Sequence, residues 1–521
     1  MLGIIISCIA AFAIFLAISY AFGFYKTEYN PSKLSHNIFI VLSLGILIAG
    51  ATVIYSFLAK DNFIYPYLRP LKSMNAYEQQ FDAFLKGQLN IDVVPDLRLS
   101  IMSNPYDESA RRTEGFFYLW DRAYFDGKYY SYFGIAPILL IYYPFYLLTK
   151  TVPEANTVCY ILTVLSAISI AFLVIKLQEI FVKKPNFIML LLSIFACELG
   201  SLIYMVQASA DMYYTAVASG ILFLSLFLLC TFSAYASKKN GKRALLFALS
   251  GISLVFLVMS RPNLAIYFLL AVPIYIKTVF GKEFKPSEKI CQVLAFAVPT
   301  VIGAVGIMWY NYARFGSVFE FGAKYQLTVH DVSEYSITLL LFLPALKYYF
   351  LQPPYFLSKA PYFDIPFSPL KNFPGYVYMT STVGAMAFPS NWAIAISPLL
   401  ITKKADKTKL SIFILSIVSV VGLAFTDMCL AGVNIRYLAD IALVTVLIST
   451  TVISKFISLE KGSSRSLEFA IYAVSCFLLL LTILIGLFLV FINERNNLLN
   501  LIYDDKVKGF VRKNTKNCNF R

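Results

Sequence analysis

Long apolar segments separated by short charged ones constrain the fold of this chain most. Twelve such segments are predicted, at about 1–24, 37–59, 154–175, 186–207, 211–234, 243–259, 263–280, 290–313, 385–401, 409–430, 436–456 and 468–492. An apolar helix needs roughly 20 residues to cross a bilayer. Only 14% of the residues are charged, whereas a soluble domain has about a quarter. The sequence therefore predicts an all-α polytopic membrane protein.

Lysine and arginine residues lie mostly on one side of the predicted topology. If the short, proline-containing segment Gly134–Thr149 does not cross, the loops of one side contain 20 of these residues. The opposite short loops contain three, Lys150, Arg261 and Arg436. The positive-inside rule then predicts 12 spans, an interfacial or re-entrant segment at 134–149, and both termini outside. The basic tail at 493–521 conflicts with that placement.

Two long polar segments interrupt the apolar ones, and both are predicted on the extracytoplasmic face. We expect one membrane domain over 1–521, with a first loop at 60–150 and a second loop at 314–384. The stretch 60–133 alone contains ten acidic and nine basic residues. Loops of this length in a compact domain are usually functional.

The stretch NAYEQQFDAFLKGQL in the first loop predicts an amphipathic helix on the membrane surface. Its aromatic residues recur at helical spacing, while Glu78 and Asp82 are four residues apart and share the other face. A carboxylate that accepts a proton from an attacking hydroxyl typically contributes about 10²–10⁴ in rate. Asp82 is the first candidate for that base, with Glu78 beside it. Alternatively, both are simply solvated on the polar face of the helix.

Two further acidic residues are candidates for catalysis. Asp211 stands in QASADMYY between two apolar spans, where it predicts a second acidic site for a metal or an acceptor. The alternative for Asp211 is a helix N-cap. Asp121 stands in LWDRAYF, shortly before the re-entrant segment.

Three arginines at outer helix ends are candidate ligands for a phosphate. Arg261 lies in SRPN, Arg314 in NYARFG and Arg436 in NIRY. The planar guanidinium group matches phosphate oxygens well. For each arginine, the alternative is that its side chain reaches the lipid headgroups.

The aromatic stretch FDGKYYSYF is a candidate sugar-binding element. Lys128, Tyr129 and Tyr132 are the residues proposed for substrate contact. The dipeptide Asp126-Gly127 predicts a turn between two short strands, which gives Lys128 a structural alternative. Tyrosines at a membrane boundary also commonly form an interfacial belt.

Several blocks resemble those of a bacterial family within the GT-C superfamily of membrane glycosyltransferases. They are NPYDESARR, LWDRAYFDGKYYSYFGIAPILLIYYPFYLLT, SRPN, NYARFGSVFEFGAKYQLT and NIRYLAD. The resemblance implies a GT-C-like bundle of about 12 transmembrane helices with extracytoplasmic juxtamembrane helices. It also implies an enzyme of the bacterial cytoplasmic membrane with its active site on the extracytoplasmic side. Such an enzyme transfers a sugar, usually with inversion, from a polyprenyl-phosphate-linked donor to a glycan, lipid or protein acceptor.

Other function classes are either disfavoured or left open by the sequence. The basic clusters lie between spans, so they indicate topology and not nucleic-acid binding. The scattered cysteines and the two histidines predict no metal site of their own. A divalent cation, Mg²⁺ or Mn²⁺, remains possible as a cofactor, with Asp82 and Asp211 as its ligands. A flippase, an O-antigen-type polymerase or ligase, and a scaffold remain as alternative functions, although the spans look nearly free of the paired charges that a flippase would use.

Overall fold

The computed structural model describes residues 2–58, 64–65, 72, 74–182, 184–357, 363–371, 373–400, 406–459 and 464–492. Within these ranges the chain consists mainly of helices, and its three β-ladders have only two short strands each. The prediction of an all-α polytopic membrane protein is confirmed. The basic tail at 493–521 lies outside the described residues, so its side of the membrane stays a prediction.

Nine helical spans in the described part of the chain are long and apolar enough to cross a membrane. They are α2 (Leu34–Leu58), α7 (Ala155–Phe181), α8 with α9 (Phe187–Gly200 and Ile203–Ala208), α10 (Met212–Ala236), α11 (Asn240–Ser260), α13 (Pro286–Phe315), α15 (Lys407–Leu430), α16 (Ile435–Leu459) and α17 (Arg465–Phe491). A tenth span results if the 3₁₀ helix Pro262–Leu270 and α12 (Val272–Phe280), which meet at a bend of 44°, cross together.

Two of the twelve predicted spans, 263–280 and 385–401, are not single long α-helices in the described residues. The segment at 385–401 contains a 3₁₀ helix of 12 residues, Pro389–Leu400, with Pro398 inside it. At the N-terminus, α1 (Leu2–Ala21) is an α-helix of 20 residues, and Ile9–Ala21 is its described apolar part. The segment at 134–149 forms only a short helix, with a π-helical turn followed by α6 (Tyr143–Thr149). Its length agrees with the prediction that it does not cross.

The first loop folds against the ends of these spans. It contains α3 (Ala76–Leu85), α4 (Arg98–Ile101) and α5 (Glu108–Glu114). Strands β1 (Ile64–Tyr65) and β4 (Val152–Pro153) pair antiparallel, so the two ends of the loop are joined.

The predicted turn in this loop is confirmed. Strands β2 (Ala123–Phe125) and β3 (Lys128–Tyr130) form an antiparallel hairpin in which Phe125 pairs with Lys128. The two turn residues, Asp126 and Gly127, have φ values of 47° and 69°. Positive φ at both central residues is what a type I′ turn requires, and Asp-Gly is one of its preferred dipeptides.

Helix α3 is present where the sequence predicts it, but its polar face is not solvated. All residues from Ala76 to Ala83 are buried, including Glu78 and Asp82. Phe81 on this helix packs against Tyr142 and Tyr143 of the short re-entrant helix. The alternative that Glu78 and Asp82 are simply solvated is therefore wrong, and the position of α3 on the membrane surface stays a prediction.

The second loop is attached to the first one. It contains α14 (Phe342–Leu346), a π-helical turn at Lys347–Leu351, and the short strands β5 (Tyr355–Phe356) and β6 (Phe363–Asp364). The backbone N–H of Leu327 donates to the Arg122 carbonyl at 2.9 Å, and the Leu327 carbonyl accepts from the Asp121 N–H at 3.0 Å. The segment that carries Asp121 is thus held between both loops.

A glycine places the re-entrant segment directly on the end of α11. A Cβ atom added at Gly134 would lie 2.0 Å from the Met259 carbonyl oxygen and 2.5 Å from that of Ser260. Only a residue without a side chain allows this approach. The first loop therefore packs tightly against the helix end that precedes Arg261.

The lysine-rich loops predicted on one side of the membrane meet at one end of the bundle. Lys26 forms a salt bridge with Glu468, Lys184 forms one with Glu28, and Lys409 donates to the Ile180 carbonyl. These contacts join loops that are distant in the sequence. We call this end of the molecule the basic end; the two long loops lie at the other end.

Candidate active site

Asp121 stands at the centre of the candidate site. It has φ of 52°, in the left-handed region that residues other than glycine rarely adopt. Such backbone strain is found where the surrounding structure fixes it, often at functional sites. Here the hydrogen bond from the Asp121 N–H to Leu327 fixes the strained backbone.

The side chain of Asp121 is buried but retains one available oxygen. The hydroxyl of Tyr213 donates a hydrogen bond to Oδ2 of Asp121. Its Oδ1 atom is buried and has no hydrogen-bond partner among the described residues. A buried carboxylate oxygen without a donor can accept a proton from a ligand that brings one.

The beginning of α10 positions Tyr213. Asp211 is the N-cap of this helix and accepts hydrogen bonds from the backbone N–H groups of Tyr213 at 2.7 Å and Tyr214 at 3.0 Å. The alternative that the sequence left open for Asp211, a helix cap, is therefore present. The cap fixes the first turn, from which the Tyr213 side chain reaches Asp121.

Arg436 lies on the other side of Tyr213. Its guanidinium carbon is 4.6 Å from the centre of the Tyr213 ring and 5.0 Å from that of Tyr437, and its Nη2 donates to the Tyr437 hydroxyl at 3.1 Å. Within the described residues it forms no salt bridge with a carboxylate. A partly buried guanidinium that is held by aromatic rings keeps most of its donors for an anionic ligand.

Arg261 is held in a network of carboxylates. It forms a salt bridge of 2.5 Å with Asp440, whose side chain is only 2% exposed. Asn263 donates to Asp440 at 3.1 Å and to Asp427 at 3.0 Å, and so connects the two carboxylates. Asp440 therefore compensates the charge of Arg261, whereas Arg436 has no salt bridge among the described residues.

These residues surround one cavity of about 380 Å³, which we call the arginine cavity. Asp121, Tyr213, Arg261, Asn263 and Arg436 line it, and the remaining wall comes from both loops. Tyr132 and Tyr437 contribute aromatic surface, as do Tyr335 and Tyr378 of the second loop. Burial raises the pKa of Tyr132 well above its usual range, so its hydroxyl stays protonated. The cavity offers one proton acceptor, several aromatic faces, and the Arg436 guanidinium, which has no carboxylate partner among the described residues.

A second cavity of about 570 Å³ lies on the other side of the segment 120–122, and we call it the carboxylate cavity. Glu78, Glu154 and Asp211 line it, together with Lys72 and Arg122. Arg122 is buried and donates to Gln79 at 2.7 Å and to the Trp120 carbonyl at 2.9 Å. Burial lowers the pKa of this guanidinium. Trp120 lines both cavities, so the two are neighbours.

The structure places Asp82 and Glu78 away from the arginine cavity. Asp82 forms a salt bridge of 2.9 Å with Lys86, which also contacts Asp92 at 2.6 Å. Glu78 takes part in the capping box of α3, where its oxygens accept from the backbone and side chain of Asn75. Asp82 lines neither cavity.

Arg314 is also separate from the arginine cavity. It is 5% exposed, donates to the Ser131 carbonyl at 2.7 Å and to Asn311 at 3.0 Å, and lies 3.8 Å from the centre of the Tyr310 ring. These contacts join the end of α13 to the first loop. A structural role for Arg314 explains all of them.

The three residues of the aromatic stretch have different environments. Lys128 is exposed on β3 and lines neither cavity. Tyr129 is 1% exposed and packs in the core of the loop with Leu99 and Leu327. Tyr132 alone faces the arginine cavity, where it stacks on Phe133.

Sequence reasoning did not single out Asp427, Asp440, Tyr213 or Tyr437. The view that the spans are nearly free of paired charges is wrong, since Asp440 and Asp427 are buried in α16 and α15 beside Arg261. An ionisable residue inside a predicted span is expensive and usually functional. Applied to every span, that signal would have found both carboxylates.

The proposed pair of metal ligands is not brought together. Asp211 caps α10 with Oδ1, whereas Asp82 pairs with Lys86, and only Asp211 lines a cavity. The described residues contain no group of three or more histidine, cysteine or acidic side chains that could hold a metal ion. Asp82 and Asp211 therefore lie in different environments, and a divalent cation bound by either of them stays a prediction.

Comparison with known proteins gives two structural matches. The chain is similar to the oligosaccharyltransferase of Archaeoglobus fulgidus in its apo form, with a TM-score of 0.42, 12% identity, and coverage of 85% of this chain and 55% of that one. It is also similar to the same protein tethered by a disulfide bond to an acceptor peptide containing the NVT sequon, with a TM-score of 0.39, 12% identity, and coverage of 86% and 54%.

This chain thus spans about half the length of the protein it matches. No family model and no curated protein matches it.

Proposed function

We propose that this chain is an integral-membrane glycosyltransferase whose active site is the arginine cavity. The observation that carries the proposal is the position of Asp121 and Arg436 on either side of Tyr213. A glycosyl transfer from a lipid phosphate needs a proton acceptor for the attacking hydroxyl and a cation for the leaving phosphate. The cavity provides both, with one residue for each task.

In the proposed reaction, the acceptor hydroxyl attacks the anomeric carbon of the donor sugar. Its proton passes to Oδ1 of Asp121 as the new C–O bond forms. The bond between the anomeric carbon and the phosphate oxygen breaks, and its electron pair stays on the phosphate. Arg436 stabilises that negative charge, while Tyr213 holds the carboxylate through Oδ2. Attack from the face opposite the leaving group inverts the anomeric configuration.

A polyprenyl-phosphate-linked sugar is the proposed donor, and a glycan, lipid or protein is the proposed acceptor. The cavity is polar at the ends of the apolar spans α11 and α16, so a donor could keep its lipid in the bilayer and its phosphate at Arg436. The basic end lies at the opposite end of the bundle, which supports an extracytoplasmic active site by the positive-inside rule. The bacterial cytoplasmic membrane is the proposed location.

The direct test measures transfer of a labelled sugar from a polyprenyl-phosphate donor by purified protein in lipid nanodiscs. The wild type should form product, and Asp121→Asn should lose about 10²–10⁴ of the rate. Asp126→Asn is the matched control, because it removes the same charge from the exposed turn of the hairpin that follows Asp121. Asparagine also tolerates the positive φ of that turn position. Equal rates for Asp121→Asn and Asp126→Asn would refute the proposed base. Assays with EDTA, Mg²⁺ and Mn²⁺ would test a cation requirement.

One observation favours a second function, a flippase for lipid-linked glycans. The buried salt bridge between Arg261 and Asp440 joins two membrane segments, and transporters often use such pairs. Protein reconstituted in vesicles separates the two functions. A flippase would move the labelled lipid across the membrane without forming a new glycosidic bond, whereas the proposed enzyme would form the bond.

A further inference from the structure

A third cavity, of about 420 Å³, lies at the basic end of the bundle. Its walls come from α7, α10, α15 and α16, together with Leu270 and Ser397. The lining residues of α16 fall on one helical face. They are Val444, Leu447, Ile448, Thr451, Val452, Lys455 and Leu459. We call this space the basal cavity.

The basal cavity is apolar along its length and basic at one end. Its depth along α16, from Val444 to Lys455, is about 16 Å, since each helical residue rises about 1.5 Å. Lys409, near the beginning of α15, and Lys455, near the end of α16, lie together at its mouth. The third charged residue there, Asp406, uses Oδ1 to cap α15.

The two lysines have different partners. Lys409 donates to the Ile180 carbonyl and lies 5.5 Å from the centre of the Phe181 ring. Lys455 forms no salt bridge within the described residues, and it is partly buried at the mouth. Because one carboxylate faces two ammonium groups and already caps a helix, the mouth has an excess of positive charge.

We propose that the basal cavity binds an anionic phospholipid of the bilayer, with an acyl chain inside and its phosphate at Lys409 and Lys455. A long apolar space that opens between membrane helices is filled by hydrocarbon, because water finds no hydrogen-bond partners there. Basic groups at the mouth of such a space favour an anionic headgroup over a zwitterionic one. The combination of depth, apolar walls and paired lysines specifies this ligand.

This site is distinct from the proposed active site. Tyr213 lies at the beginning of α10 and Phe232, which lines the basal cavity, lies near its end. On α16, Lys455 at the mouth of the basal cavity comes 19 residues after Arg436 of the arginine cavity, so the mouth lies about 28 Å from Arg436 along that helix. A lipid in the basal cavity therefore cannot place its phosphate at Arg436. Its role is to stabilise the packing of α15 and α16, and the inference does not depend on the proposed function.

Native mass spectrometry of the full chain, with phosphatidylglycerol or phosphatidylcholine of identical acyl chains, tests the site. We expect wild-type protein to retain phosphatidylglycerol in preference to phosphatidylcholine. Lys455→Ala should weaken the phosphatidylglycerol complex about fivefold, since one lysine near an anionic headgroup contributes about 1 kcal/mol. Lys239→Ala is the matched control, because Lys239 is an exposed lysine at the basic end that lines no part of the cavity.

A second variant tests the apolar part of the site. Leu447→Trp places a larger side chain in the cavity wall and should lower retention of both lipids, whereas Lys455→Ala should lower only that of the anionic one. The proposal fails if wild type binds the two lipids equally, or if Lys455→Ala and Lys239→Ala have the same effect. It also fails if added polyprenyl phosphate displaces phosphatidylglycerol while phospholipids do not.

Discussion

Tyr213 donates a hydrogen bond to Asp121 while its ring lies 4.6 Å beneath the guanidinium of Arg436. One side chain thus orients the proposed base and supports the proposed phosphate ligand. Tyr213→Phe removes the hydroxyl and keeps the ring. A hydrogen bond to a charged group contributes about 1.5–3 kcal/mol, so kcat should fall about 10- to 100-fold with little change in the donor KM. Tyr213→Leu should also raise that KM. Steady-state kinetics of both variants check the two roles, and identical kinetics would show that the ring has no part in binding.

Arg436 should be more sensitive to replacement than an arginine on the surface. Arg436→Lys keeps the charge but loses the planar group that stacks on Tyr213 and Tyr437. We expect kcat/KM for the donor to fall about 10- to 100-fold, as for the loss of a charge-assisted hydrogen bond. Arg112→Lys is the control, because Arg112 is exposed and its salt bridge among the described residues is with Glu108. A donor KM that is unchanged in Arg436→Lys would remove Arg436 from phosphate binding.

Replacing Asp82 and replacing Asp121 should have opposite effects on turnover and thermal stability. Asp82 pairs with Lys86 on the buried helix α3, whereas Asp121 faces the arginine cavity. Asp82→Asn should keep turnover within about threefold and lower thermal stability slightly, since it removes the buried partner of an ion pair whose lysine is 41% exposed. Asp121→Asn should show the reverse, with folding retained and turnover lost. Product formation and melting temperature, measured on the same preparations, separate the two; lost turnover in Asp82→Asn alone would restore Asp82 as the base.

The sequence was sufficient for the features that depend on local pattern. Apolar length predicted the membrane helices, Asp126-Gly127 predicted the hairpin, and charge asymmetry grouped loops that meet at the basic end. Each of these signals either lies within a few residues or recurs from one loop to the next along the chain. The cap formed by Asp211 belongs to the same class, since a capping residue acts on its own helix.

The choice among candidate residues depended on packing between distant segments, which no local pattern contains. Tyr129 and Tyr132 are three residues apart, yet Tyr129 lies in the core of the loop and Tyr132 faces the cavity. Asp121 is one of four acidic candidates in the sequence, and the contacts that set it apart come from Leu327 of the second loop and from Tyr213. Arg314 and Arg261 are both predicted at outer helix ends, but Arg314 attaches the first loop to α13 through its hydrogen bond to the Ser131 carbonyl.

The Arg261–Asp440 salt bridge should be essential for stability. Breaking one buried partner leaves the other uncompensated, at a cost of about 3–5 kcal/mol. Asp440→Asn and Arg261→Gln should therefore each lower the melting temperature strongly. The double variant should lose less than the sum of the two single variants, because neither member of the pair then remains without the other. Heating in detergent followed by size-exclusion chromatography measures this, and additive losses would argue against a direct pair.

Two tyrosines of the first loop, buried Tyr129 and partly buried Tyr106, predict how it responds to alkaline pH. Burial raises the pKa of Tyr106 and of Tyr129 to about 12, compared with an ordinary value near 10. The folded loop therefore holds its phenolic protons more tightly than the unfolded loop. The associated stability is complete below about pH 10 and is lost as the pH rises through 12. Tyr129→Phe should lessen this loss, because phenylalanine has no proton to release.

Pulse proteolysis with an alkaline-tolerant protease measures the alkaline opening of this loop directly. Wild-type protein should become cleavable within the first loop between pH 10 and 12, while Tyr129→Phe should need a higher pH for the same cleavage. Tyr355→Phe serves as the control, since Tyr355 is an exposed residue of the second loop. If both variants opened at the wild-type pH, ionisation of Tyr129 would not drive the transition. Because the first loop carries Asp121, its opening should abolish sugar transfer over the same pH range.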